Sequence, residues 1–339
     1  MPKKLENIVG QEHVVKLLNT QLEAEQTSHA YLFAGPVGSG RLECAKAMAA
    51  ALLGDEFADK IANDTCVDVK IYEPQGVQTY LAGQIKEIVK DSNLAPIQAK
   101  QKVYIIREAE KLGTSAANAF LKTLEEPSTE VCFILLANNA DNVLPTITSR
   151  CQLINFKQIP KEMAILHIQQ EGGCARDDAE NALKLFGGDT EHAIEFCLDQ
   201  NLQDLYHEAV DVVKNADIIS DWEVLQRSKD IVSKISEVVE VHKKNLEDIT
   251  KELSEVLDPH AISIINDQNK RSVSAKQFEL LHLFCASIKF YFRNLLLNNN
   301  NQEKYIAKLE RVNEIEQNLA YNIAPQNFCD VCLLELKRI

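Results

Sequence analysis

The stretch that decides the fold runs His29-Ala30-Tyr31-Leu32-Phe33-Ala34-Gly35-Pro36-Val37-Gly38-Ser39-Gly40-Arg41-Leu42. Its first six residues form a nearly continuous apolar run, the pattern of a strand covered on both faces. The residues after it, from Glu43 to Leu53, read as a helix. Gly35 and Gly40 have the spacing of G-x-x-x-x-G-K-[ST], and Gly38 lies between them. In a strand–loop–helix setting such glycines let backbone N–H groups converge on a phosphate at a helix N-terminus. The loop geometry is therefore expected, but its chemistry is degenerate. The lysine position carries Arg41, a planar fork rather than a compact ammonium. The hydroxyl position carries Leu42, which has no oxygen to offer Mg²⁺.

Outward from this loop, residues 1–157 alternate strand-like and helix-like segments. The apolar runs are Ala30–Ala34, Val67–Tyr72, Val103–Ile106, Val131–Ala137 and Leu153–Phe156, with helical patterns over 41–53, 79–92, 114–126 and 142–148. Short continuous apolar strands alternating with helices predict a parallel sheet covered on both faces. Beyond Pro160 no strand pattern recurs. Residues 161–199 read as two or three short helices punctuated by Gly172-Gly173 and Gly187-Gly188, and 201–339 as longer ones. Val232, Ile235, Val238, Val239, His242, Leu246 and Ile249 mark one helix side within 231–256, and two further helices are expected over 276–298 and 302–319, split by Asn298–Asn301. The predicted domains are an α/β P-loop domain over 1–157, a small helical lid over 158–200 and an all-α collar over 201–339.

Composition sets limits on function. The chain has 339 residues, 45% hydrophobic and 25% charged, with a formal net charge of −14. That is globular usage and a poor match to a free-standing DNA-coating protein. Residues 1–157 hold 16 basic and 19 acidic groups, whereas the remainder holds 20 and 31, so the acidity is concentrated in the helical part. No apolar run approaches the ~18–20 residues of a membrane helix, and Met1-Pro2-Lys3-Lys4-Leu5-Glu6 lacks the apolar core of a signal peptide. Nine scattered cysteines read as reduced thiols. Cys329 and Cys332 form a C-x-x-C pair inside an apolar helical pattern, which is read as a buried helix. No histidine spacing makes a metal motif, and none follows His207-Glu208 to complete a metalloprotease helix.

The second metal element of a P-loop ATPase is altered as well. Val103-Tyr104-Ile105-Ile106-Arg107-Glu108 is a strand whose last residues would be Asp-Glu in a hydrolase. Arg107 stands at the aspartate position. Glu108 keeps the place of a water-activating base. Losses at both the hydroxyl and the acid make hydrolysis here unexpected.

Four segments then carry a family resemblance: Val9-Gly10-Gln11-Glu12-His13, His29–Phe33, Asn118-Ala119-Phe120-Leu121-Lys122-Thr123-Leu124-Glu125-Glu126-Pro127, and Leu144-Pro145-Thr146-Ile147-Thr148-Ser149-Arg150-Cys151. Together they resemble the clamp-loader branch of the AAA+ superfamily, and within it the delta-prime subunits of bacterial DNA polymerase III. The matches are dense over about 8–157; the rest agrees in layout. The resemblance implies that Arg150 is an arginine finger donated to a neighbouring subunit's ATP site, with Ser149 and Cys151 shaping its turn. It also implies that Glu191, in Gly187-Gly188-Asp189-Thr190-Glu191-His192-Ala193, stands where active loaders carry a lid arginine near the γ-phosphate.

The expected role is a non-hydrolysing scaffold in a pentameric ring that loads the sliding clamp on primed DNA. Gamma/tau and delta subunits are the implied partners, with clamp and primer-template DNA met through the assembly and no membrane. The implied setting is the bacterial cytoplasm, at replication forks of the nucleoid. No bound nucleotide and no cofactor are expected. Nucleotidyl transfer would belong to another subunit of the holoenzyme. Many relatives carry four zinc-binding cysteines after the P-loop helix; here residues 54–66 contain only Cys66, so no zinc is expected. The helix around Asn118–Glu126 is either a contact surface or a sheet-covering core helix. The alternative functions are an ATP-hydrolysing gamma/tau-like motor or other active AAA+ ATPase, and a P-loop-derived interaction protein outside replication.

Overall fold

The computed structural model describes residues 5–74, 79–127, 130–254, 259–298, 302–321 and 323–339. Met1–Lys4 and residues 299–301 of the expected Asn298–Asn301 break lie outside the described residues. The chain divides into two compact units, one formed by Met1–Leu183 with Gly187–Ile194, the other by Lys184–Phe186 with Glu195–Ile339.

The first unit runs α1 (Glu12–Glu23), β1 (Ala30–Ala34), α2 (Arg41–Leu53), α3 (Ala58–Ala62), β2 (Val69–Tyr72), α4 (Ala82–Ser92), β3 (Lys102–Ile106), α5 (Thr114–Glu125), β4 (Val131–Ala137), α6 (Pro145–Thr148), β5 (Gln152–Asn155) and α7 (Lys161–Gly172). It then takes in most of α8 (Arg176–Leu185) and the start of α9 (Thr190–Leu198). The five strands form one sheet in the order β2-β3-β4-β1-β5. Every pairing is parallel, with Tyr31 opposite both Ile134 and Gln152.

Alternation along the strands divides the core in two. Tyr31, Phe33, Val103, Ile105, Ile134 and Leu136 pack with α1 and α2 on one face. Leu32, Tyr104, Ile106, Phe133 and Leu135 pack with α4 and α5 on the other. Both faces are buried, which is why each strand reads as a continuous apolar run. Ala116, Ala117, Phe120 and Leu124 of α5 are all buried, so this helix covers the sheet.

Two polar side chains hold the edges of this unit. Gln11, fully buried, donates from Nε2 to Ser39 O at 3.0 Å and to Lys157 O at 2.6 Å, while its Oε1 accepts from Lys157 N–H at 3.1 Å. The Val9–His13 segment thereby ties the phosphate loop to the chain leaving β5. Asp68, also buried, accepts the N–H groups of Ile97, Gln98 and Ala99 at 2.7, 2.6 and 2.8 Å, pinning the loop before β3.

The second unit is helical throughout its described residues: the end of α9, α10 (Gln200–Asn215), α11 (Asp221–Ser254), α12 (Pro259–Asn298), α13 (Gln302–Gln317) and α14 (Pro325–Arg338), with a short 3-10 turn after α13. Its core joins Leu205 and Val212 of α10, Ile231 and Ile235 of α11, Phe284 and Ile288 of α12, Ile315 of α13, and Phe328, Cys329, Cys332 and Leu336 of α14. Cys329 and Cys332 thus sit in a buried helix.

Helices α11 and α12 start ten and seventeen residues earlier than their periodicity suggests. The extra turns of α11 bury Val224 in the apolar core, whereas those of α12 carry polar contacts to α11. Asn269 Nδ2 donates to Thr250 Oγ1 at 2.8 Å, and His242 Nε2 meets Ser272 Oγ at 2.9 Å. One expectation needs correction: Asn269–Leu297 is long and apolar enough, by length and composition, to cross a membrane. Its apolar residues are interrupted by His282, Lys289 and Arg293, so no single run stands out. Half of its most apolar window is buried within the protein, and Lys289 pairs with Glu316 at 2.6 Å, as in a core helix.

Candidate nucleotide cleft and arginine edge

In a parallel sheet, residues that follow the strands gather at one edge. Here that edge holds a cavity of about 240 Å³, lined by Val37–Glu43 after β1, by Arg107, Glu108 and Glu110 after β3, by Leu136 and Asn138 at the end of β4, and by Asp189, Thr190 and Glu191 at the start of α9. The structure therefore brings together Gly38, Gly40, Arg41, Leu42, Arg107, Glu108 and Glu191. Gly35 sits at the exit of β1, where an added Cβ would lie 2.6 Å from Phe156 Cβ.

The loop has left-handed backbone at Gly38 (φ +74°) and Gly40 (φ +78°), and Gly40 starts α2 without a side-chain cap. A Cβ on Gly38 would stand 1.7 Å from Gly188 O, so the turn before α9 rests directly on the loop. Ser39 Oγ is buried without a hydrogen-bond partner among the described residues. Leu42 packs against the apolar face beneath it.

The charged groups in the cleft are engaged with one another. Arg41 Nη2 donates to Asn138 Oδ1 at 2.8 Å, and Asn138 N–H donates to Glu110 Oε1 at 3.2 Å. Burial lowers the Arg41 pKa below its ordinary value, and Arg107 lowers it further against the opposing pull of Glu110 and Asp189. Arg107 pairs with Glu73, just beyond β2. Burial works against its charge, but Glu73, Glu191, Asp189 and Glu108 outweigh it and hold the guanidinium above its ordinary pKa. Glu108, in left-handed backbone at φ +50°, pairs with Lys111.

Glu191 Oε1 lies 3.6 Å from Lys46 Nζ, which also pairs with Asp64 at 3.0 Å. Burial, with Glu43 and Asp189 nearby, raises the Glu191 pKa although Lys46 opposes the shift. Asp189 caps α9 by accepting the N–H groups of Glu191 and His192 at 3.0 and 3.3 Å. Five carboxylates and two guanidiniums thus line a space that the glycine spacing alone would assign to a polyanion.

Arg150 lies at the opposite edge. It precedes β5, whose first residue pairs with Tyr31 near the start of β1, whereas the loop follows the end of β1. Its Nε donates to Glu125 Oε1 at 2.8 Å, Nη2 also meets that oxygen, and Nη1 donates to Thr146 O at 2.8 Å and to Ser149 Oγ at 3.3 Å. Cys151 is partly buried, which pushes its thiol pKa up to about 12. Ser149 donates to Thr146 O at 3.4 Å, so both neighbours belong to the turn that carries Arg150.

Sequence reasoning missed Glu73, Asn138, Lys46, Asp64 and Glu125. Glu73 and Asn138 follow strands, and strand-end position was a usable signal. The others carried none, because their partners lie far along the chain. Among the described residues no three His, Cys, Asp or Glu side chains converge as a metal site.

Residues 10–160 match a family model described as DNA polymerase III, delta subunit. DNA polymerase III subunit tau of Bacillus subtilis is 36% identical over 174 residues, covering 48% of this chain and 31% of that protein. Subunit delta' of the same organism is 31% identical over 172 residues, covering 48% of this chain and 52% of its own length. The aligned region thus spans between about a third and half of these relatives. A solved gamma subunit-related protein from Thermotoga maritima is 18% identical, with 95% of this chain and 98% of that chain covered and a TM-score of 0.49. Residues 10–160, which carry the five-stranded parallel sheet and the glycine loop, therefore form a domain of the DNA polymerase III delta-subunit type, similar to DNA polymerase III subunits tau and delta'.

Proposed function

We propose that this chain is a delta-prime-like, non-hydrolysing subunit of a DNA polymerase III clamp loader, and that it donates Arg150 to the ATP site of a neighbouring subunit. One observation carries the reading: the groups that would meet phosphate and metal in its own cleft are replaced by residues bound to each other. Arg107, at the metal-binding acid's position, is held by Glu73, and Leu42 offers no oxygen. Glu191, at the lid position, is a carboxylate next to Lys46. Arg150 lies at the other edge of the sheet and cannot serve this cleft itself.

In this reading the α/β domain of 1–157 and a lid over 158–200 form a fixed wedge, and the helices of 201–339 form the collar that joins the ring. The partners are gamma/tau and delta subunits, with clamp and primer-template DNA contacted through the assembly. A guanidinium supplied in trans stabilises charge redistributed in phosphoryl transfer, typically worth ~10³–10⁵ in rate.

The test is Arg150→Ala in an assembly reconstituted with gamma/tau and delta subunits. Assembly should persist while ATP turnover falls by at least about tenfold, a lower bound on the loss of one finger in a multi-site ring. Unchanged turnover would refute the finger. A second reading, a gamma/tau-like motor, is favoured by the higher identity to subunit tau (36%) than to delta' (31%). It requires the isolated chain to bind and turn over MgATP.

A further inference from the structure

We propose that Glu125 is the positioning residue for Arg150, fixing the guanidinium by one edge so that the other edge is presented to a neighbour's phosphate. The inference rests on Arg150 acting in trans. A guanidinium has five N–H groups, distributed over Nε, Nη1 and Nη2. Glu125 Oε1 takes the Nε–H and one N–H of Nη2, so a single carboxylate oxygen spans the side edge. Nη1 donates to Thr146 O at 2.8 Å and reaches Ser149 Oγ at 3.3 Å. With Glu125 on the side edge, the second N–H of Nη2 and the weakly bonded capacity of Nη1 remain for an incoming oxyanion, which a guanidinium can meet through its end edge.

The placement of Glu125 is not explained by helix stability. It is the last residue of α5, where the helix macrodipole disfavours a carboxylate. The pair is also partly exposed, with side chains 30% and 48% accessible for Arg150 and Glu125, and such pairs add little to folding. What the pair supplies is orientation. Three acceptors from two elements, α5 and the α6 turn, hold one side chain that has four rotatable bonds. Because α5 begins beside the cleft edge and ends at Glu125, the helix sets the height of that oxygen relative to the sheet.

The experiment is a double-mutant cycle of Glu125→Gln and Arg150→Ala in the reconstituted loader, read as kcat and KM for ATP. Nuclear magnetic resonance of the Arg150 side chain in the full isolated chain accompanies it. Glu125→Gln should lower kcat by about tenfold with KM unchanged, since misplacement of about 1 Å can cost up to ~10² in rate. The effect should vanish in the Arg150→Ala background. In the isolated chain, Glu125→Ala should speed exchange of the Arg150 Nε proton severalfold. If Arg150→Ala lowers turnover and Glu125→Gln does not, the finger stands and the positioning role is overturned. If Arg150→Ala has no effect, both fall. An Nε proton that exchanges equally fast in Glu125→Ala and in the unaltered chain would overturn the positioning role without reference to any partner.

Discussion

Restoring the phosphate loop on its own should not restore nucleotide chemistry. The perturbation is Arg41→Lys with Leu42→Thr, which returns the lysine and the hydroxyl to their usual positions. Arg107 would remain, held by Glu73 and kept charged by Glu191, Asp189 and Glu108. A unit charge about 4 Å from a cation costs about 4 kcal/mol at an effective dielectric of about 20, and so about 8 kcal/mol against a divalent ion. At 1.36 kcal/mol per factor of ten, that is at most about six orders of magnitude in metal affinity, reduced by the carboxylates that already pair with Arg107. Arg41→Lys would also exchange the guanidinium that donates to Asn138 for an ammonium, leaving five carboxylates, one guanidinium and one ammonium around the cleft. Titration calorimetry of the double variant with MgATP should give no saturating heat at millimolar nucleotide, and phosphate release should match the unaltered chain. Adding Arg107→Asp should be the first change to yield magnesium-dependent binding. Micromolar binding with turnover in the double variant would show that Arg107 is not at the metal position, and the reading of this cleft would fail.

Two further outcomes follow from the same first unit. Asp68→Asn keeps one acceptor oxygen where the carboxylate served three backbone N–H groups, and should cost about 2–4 kcal/mol in urea unfolding; a midpoint within error of the unaltered chain would refute that role. Glu191→Gln tests the cleft by pH. The Glu191 pKa is raised above its ordinary 4.5, so the folded state holds the proton more tightly than the unfolded one. Its contribution is complete below pH 4.5 and is lost as pH rises through the folded value. The Gln variant should therefore gain stability relative to the unaltered chain between pH 4.5 and neutrality, and parallel profiles would contradict the shift.

The sheet was legible because both of its faces are covered. Ala30–Ala34 and Val131–Ala137 match the structure residue for residue, and the other strands match within two. Helix α1 escaped notice because Val14 and Leu18 bury one side of a segment otherwise read as a motif. In the early half of α12, Asn269 and Ser272 find polar partners on α11, which no periodicity reports. The cleft followed the same pattern. Residues in local motifs, Gly38 to Leu42 with Arg107 and Glu108, were visible, whereas their partners were not. Lys46 meets Asp64 and Arg150 meets Glu125 across 18 and 25 residues, and a single sequence does not reveal which charges meet.

The two properties assigned to this chain are separable because the strands are parallel. Residues after β1, β3 and β4 form the cleft, and residues before β5 carry Arg150. From Tyr31 to the loop at Gly35 the backbone advances about 13 Å, at about 3.3 Å per residue. Ion pairs can therefore fill the cleft without altering the turn that holds Arg150. Helix α5 runs between the two edges, from Thr114 beside the Glu108–Lys111 turn to Glu125 against Arg150. A buried helix with Phe120 and Leu124 packed into the sheet cannot slide without breaking that packing. On the proposed reading, a cleft whose charged side chains are engaged with one another has no nucleotide cycle to move this helix. If Arg150 is donated to a neighbour as proposed, its guanidinium would be preorganised by this helix and would need no rearrangement when charge develops in the transition state.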